Sequence, residues 1–111
     1  MPYDVVLSDR IRELVEHEAN LTEQRMFGGL AFLIGGNMAV AASGQGGLLV
    51  RVDPSESAEL VRSSAAEPME MRGRQMGGWL RVGAADVESP DELRAWVKRG
   101  VAFARSLPAK R

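Results

Sequence analysis

The residues of this chain that could do chemistry are few and scattered. His17 is the only histidine, and there is no cysteine. Thiolate nucleophiles, disulfides and thiolate metal sites are therefore excluded. A Ser-His-Asp arrangement would have to be built on His17, which lies between Glu16 and Glu18 at a polar helix end. That setting suits a solvated imidazole rather than a general base or a metal ligand. The carboxylate pairs Glu16/Glu18 and Asp91/Glu92 read as solvated or helix-capping groups. No catalytic set, metal site or cofactor site emerges, and the expectation is a protein that is not an enzyme.

Glycine is the next candidate. Four Gly-Gly pairs occur, at 28-29, 35-36, 46-47 and 77-78. A phosphate-cradling loop runs from strand into helix and carries Lys beside Ser or Thr. No such sequence is present. Gly35-Gly36-Asn37 and Gly44-Gln45-Gly46-Gly47 suit hairpin turns, because Gly and Asn accept positive φ. Gly28-Gly29 lies inside an apolar run, where glycine costs roughly 0.5–1 kcal/mol relative to alanine. Either the ring of Trp79 or Trp96 lies over the gap, or backbone or a ligand approaches closely there.

Charge is balanced overall, with 14 basic and 15 acidic residues and a net charge of -1. That balance argues against bulk nucleic-acid binding. Five arginines fall in predicted strands: Arg25, Arg51, Arg72, Arg74 and Arg81. They either converge on an anion or partner Glu70 and other acids on a solvated face. After Glu92 come Arg94, Lys98, Arg99, Arg105, Lys110 and Arg111, with no acidic residue. These form a basic surface for an acidic partner, or simply suit the last turns of a helix. Met26, Met38, Met69, Met71 and Met76 make a methionine-rich strand set, which serves core filling or an adaptable interface.

The elements that must position these residues follow from periodicity. A chain of 111 residues suits one domain. Tyr3, Leu7, Ile11, Leu14 and Val15 form the stripe of an amphipathic helix over residues 3–18. Residues 19–23 read as a polar connection. Arg25–Ile34, the longest apolar run, reads as the central strand, with both faces covered. Met38–Ser43 and Leu48–Val52 follow as strands, the first with small side chains under something bulky. Asp53-Pro54-Ser55-Glu56 opens a short helix. Pro68–Arg72 alternates apolar and charged, as a strand with one solvated face does, Pro68 at its start is compatible with an edge strand, and Met76–Val82 returns as a fifth strand. Ser89-Pro90-Asp91-Glu92 is a capping box opening a long helix that Pro108 stops. The order α-β-β-β-α-β-β-α predicts an α+β domain with an antiparallel sheet packed with helices. No apolar run approaches the roughly 20 residues of a membrane span. Met1-Pro2-Tyr3-Asp4 lacks a secretory pattern, so a cytoplasmic location is expected.

Several segments together resemble a known family. They are Leu21-Thr22-Glu23-Gln24-Arg25-Met26-Phe27-Gly28-Gly29-Leu30-Ala31-Phe32, Gly36-Asn37-Met38, Leu49-Val50-Arg51-Val52, Pro68-Met69 with Gly73-Arg74, and Ala95-Trp96-Val97 with Ala102 through Pro108. This resembles the N-terminal domain of the TfoX/Sxy family of bacterial competence regulators and their stand-alone relatives. The resemblance implies a secretion-chaperone-like α+β fold, a bacterial cytosolic protein and a homodimer. It further implies a co-activator-like role beside a DNA-bound transcription factor. The C-terminal helical domain of the full-length regulators is not in the sequence, so 1–111 is expected to be a single TfoX N-terminal-like domain. Gln75 and Gly77 stand where the family suggests proline and lysine.

The expected function is thus a protein-interaction module in a regulatory setting. Its expected contact surface is Met26, Phe27, Gly28, Gly29 and Trp79. The alternatives are nucleic-acid binding through the strand arginines and the basic last helix, and a small-molecule pocket beneath the glycines.

Overall fold

The structure is a computed structural model that describes residues 3–26 and 28–109, with Met71 described by its backbone alone. Among the described residues, three α-helices, α1 (Val5–Val15), α2 (Ser57–Ser63) and α3 (Pro90–Ser106), accompany six strands. The strands are β1 (Leu21–Met26), β2 (Gly29–Ile34), β3 (Asn37–Ala42), β4 (Leu48–Arg51), β5 (Glu67–Met71) and β6 (Arg74–Val82). All pairings are antiparallel, in the order β1-β2-β3-β4-β6-β5. The α+β class and the antiparallel sheet agree with the expectation, with one strand more than expected.

The extra strand corrects the reading of Arg25–Ile34. That run is not one central strand. It is the end of β1 and all of β2, and the chain reverses between Met26 and Gly29 with Gly28 at φ 76°. Residues 21–23, expected as connection, belong to β1. Its residues are half-buried or exposed, so no apolar alternation betrays it. Backbone pairing with β2 holds it instead. β2 is consequently second from the edge, and β3 and β4 are central. Gly28-Gly29 is explained by close backbone approach rather than by a tryptophan. A Cβ on Gly29 would strike the Ala42 carbonyl oxygen and lie 3.0 Å from the Gly44 nitrogen.

The other turns follow the sequence. Gly35 and Gly36 take φ of 59° and 84° between β2 and β3. Pro68 sits on the edge strand β5, where its missing N–H does no harm. Asp4 caps α1, accepting the Leu7 N–H at 3.1 Å. Ser89 caps α3, accepting from Glu92.

One sheet face is covered by α1 and α3. Leu7, Ile11 and Val15 share one buried core cluster with Phe32, Val40, Leu48, Val50 and Leu80, and α3 adds Leu93, Trp96 and Val97. Fully burying one such side chain stabilises by roughly 1.5–3 kcal/mol. The small side chains of β3 admit α3 closely. Gly100 sits against the Ala39 carbonyl and Val40. The far end of α3 is tied down where the buried Asn37 side-chain amide donates to the Pro108 carbonyl at 2.9 Å.

Candidate functional site

Strand alternation decides what faces away from the helices. Ala31, Leu33, Met38, Ala41, Leu49 and Met69 form a second buried apolar cluster on that side, and Met26 and Trp79 pack against it half-buried. Among the described residues, no helical residue belongs to this cluster. A groove of about 520 Å³ opens over it, between Met26 of β1 and the edge strand β5. Its apolar lining includes Ala41, Leu49 and Met69, and its polar lining includes Glu67, Glu70, Arg72 and Arg81. Glu67 stands opposite Arg81 in the β5–β6 register. A Met-rich apolar floor between charged walls is chemically suited to an apolar side chain carried on a polar chain.

The expected contact surface is partly assembled here. Met26 and Trp79 share the second cluster. Gly28 and Gly29 form the adjoining turn against Gly44 and Ala42. Phe27 lies outside the described residues. The alternation Pro68–Arg72 signalled a strand with an apolar face, but not that Met69 would join Met26 from the opposite end of the sheet.

The five strand arginines do not all gather at one place. Arg25 is on the helix-covered side, with its guanidinium 5.9 Å from the Tyr3 ring centroid. Arg51 lies over Trp79 at 5.1 Å and Phe103 at 5.5 Å. Arg72 and Arg81 line the groove, while Arg74 is exposed at the start of β6. Nor does any of the five make an ion pair among the described residues; the pairs found are Arg12 with Asp9 and Glu23, Arg62 with Glu59, Arg94 with Asp91, and Arg105 with Glu18, besides the His17–Glu18 contact. The basic charge of α3 is partly neutralised by two of these pairs. Arg99 stacks over Trp96 at 4.9 Å, and Lys110 and Arg111 lie outside the described residues.

Other polar groups have structural partners. Arg12 donates to both carboxylate oxygens of Glu23, at 2.7 and 3.0 Å. Those bonds hold the Glu23 carboxyl below its ordinary range and raise the Arg12 guanidinium above its own. Asp53 is likewise lowered by bonds from the Ser55 N–H and hydroxyl. His17 is largely exposed, with Nε2 3.3 Å from Glu18. No group of three or more metal-ligating side chains is drawn together among the described residues. No helix of the described residues is long and apolar enough to cross a membrane.

The molecule is thus a small α+β domain with one helix-covered and one open, grooved sheet face. Its sequence matches the TfoX N-terminal domain over residues 13–104, and the chain belongs to that family. A comparison with curated proteins gave no match.

Proposed function

We propose that this domain is a non-enzymatic protein-interaction module of bacterial transcriptional regulation, of the competence-regulator kind, working in the cytoplasm. Its groove takes an apolar segment of a protein partner, and a transcription factor is the partner class we favour. One observation carries this reading: the second apolar cluster, with Met26 and Met69 lining a groove that has no helical residue in its wall among the described residues. A groove with an apolar floor and charged walls on a small domain suits recognition of an apolar side chain. Membership in the TfoX N-terminal domain family supports the regulatory setting.

The test is a pull-down from native lysate with the wild type, with Met26→Glu and Met69→Lys in the groove, and with Arg99→Glu on the helix side. Protein and nucleic acid are both analysed, and circular dichroism checks the fold of each variant. The expected result is a protein recovered by the wild type and Arg99→Glu, and lost with folded Met26→Glu. Retention of that partner by Met26→Glu and Met69→Lys alike would refute the groove. Nucleic acid that elutes at moderate salt would bring the arginine reading forward.

A further inference from the structure

The sheet has two edges, and they are not alike. β5 carries Pro68, and its register with β6 shifts between Pro68 and Glu70. Both features blunt an edge against pairing. β1 carries no proline, and its register with β2 is unbroken from Leu21↔Ile34 to Met26↔Gly29. Its outer side pairs with no other strand among the described residues.

The unpaired backbone groups of β1 can be assigned. The Gly35 N–H donates to the Asn20 carbonyl at 3.0 Å. Asn20 is therefore a hydrogen-bonded position, and so are Thr22, Gln24 and Met26 by alternation. Leu21, Glu23 and Arg25 direct their N–H and C=O groups outward. Their side chains lie on the helix-covered side, where Leu21 joins the core, Glu23 bonds Arg12 and Arg25 meets Tyr3.

We propose that this edge receives a second copy of the same strand, antiparallel, about a twofold axis through Gln24. Self-pairing centred on Glu23 would set two carboxylates opposite each other, which destabilises a pair. Moving the axis by one residue, to Gln24, sets Glu23 opposite the partner's Arg25, twice. Both of those positions have free backbone groups, so each pair closes with hydrogen bonds. Gln24 then faces its own copy on the groove side, amide to amide. The two sheets become one continuous sheet with all helices α1 and α3 on the same side.

A second observation points to the same edge. Val5 is 52% exposed, one of few large exposed apolar residues described. It precedes Arg12 by seven residues and so shares its stripe on α1. Because Arg12 reaches Glu23, that stripe overhangs β1. Twofold pairing at Gln24 would bring the two overhanging stripes toward each other and cover Val5. Met26 is common to this edge and the groove, since it ends β1 and lines the groove, but the backbone pairing does not depend on the groove binding a partner.

The absence of native cysteine makes the register directly testable. Gln24→Cys places one thiol on the axis, at a non-hydrogen-bonded pair with Cα atoms about 4.5 Å apart, within disulfide reach. Thr22→Cys points to the same side, but its copies would be four residues out of register, about 13 Å apart. Mild oxidation is expected to give a covalent dimer from Gln24→Cys and little from Thr22→Cys. Light scattering is expected to show a dimer for the wild type. Arg25→Glu, which within the monomer gives up the contact with the Tyr3 ring, should weaken it on the order of tenfold. Equal cross-linking of the two cysteine variants would overturn the register. A wild type that stays monomeric up to its solubility limit would overturn the proposal, as would an Arg25→Glu variant that dimerises undiminished.

Discussion

Gly100→Ala sets two physical effects against each other in α3. Alanine is the better helix former by about 1 kcal/mol, so the exchange stabilises an ordinary exposed helix. Here the added Cβ would land on the Ala39 carbonyl oxygen, 2.9 Å from Val40 Cγ1 and 3.0 Å from the Ala39 carbonyl carbon. None of these atoms is the loose end of a flexible side chain. β3 is held on both sides by β2 and β4, so α3 must lift instead. Lifting it loosens Trp96, Val97, Val101 and Ala104, all buried. Overpacking of this kind costs about 1–3 kcal/mol. Part of that is offset by propensity, but the loosened contacts add to it. The expected net loss is about 1–2 kcal/mol, a fall in Tm of about 4–8 °C for a domain of this size. Thermal and urea unfolding followed by circular dichroism measure it. Ala102→Gly, at an exposed position two residues on, should cost about 1 kcal/mol from propensity alone and serves as the reference. A Gly100→Ala variant that melts higher than the wild type would refute the close approach of α3 to β3.

Two further outcomes follow from named contacts. Because Arg12 lowers the folded pKa of Glu23, their pair stabilises above the unfolded carboxylate pKa and is lost as pH falls through the folded value. Glu23→Gln should therefore be less stable than the wild type near neutrality and equal to it in strong acid. Urea unfolding at the two pH values checks this, and a gap independent of pH would remove the ion pair from the account. Arg51→Ala should cost about 1 kcal/mol, since Arg51 bridges the rings of Trp79 and Phe103. It should also alter the fluorescence of Trp79, tested in a Trp96→Phe background, and unchanged emission would argue against the stacking.

The parts of the fold readable from sequence are those that carry local signals. α3 was legible at both ends, because Ser89 and Pro90 make a helix start and Pro108 cannot continue one. β5 was legible as an edge strand, because Pro68 cannot donate to an inner ladder and the segment alternates. β1 was not. Thr22, Glu23, Gln24 and Arg25 have no buried face, and their pairing is with β2 backbone, which leaves no mark in side-chain type. Missing β1 in turn made Gly28-Gly29 look like a defect inside a strand instead of the turn between two. The candidate surface is half legible in sequence. Met26 and Trp79 are surface candidates by sequence and do share a cluster. Arg25 and Arg81 look alike as strand arginines but lie on opposite sides of the sheet.

Sequence alone determined every element but β1, the absence of thiol chemistry, the α+β class and the family. Those depend on periodicity, turn residues and motif, all local along the chain. Tertiary structure alone decided which residues became neighbours. The order β1-β2-β3-β4-β6-β5 brings β6 between β4 and β5, and the groove spans from Met26 to Met69 across the sheet. Alternation says that a side chain points to one face or the other. Only strand order and register say whose side chain stands next to it. For that reason the groove, and the unpaired edge whose charges complement their own copy, became visible in the folded molecule.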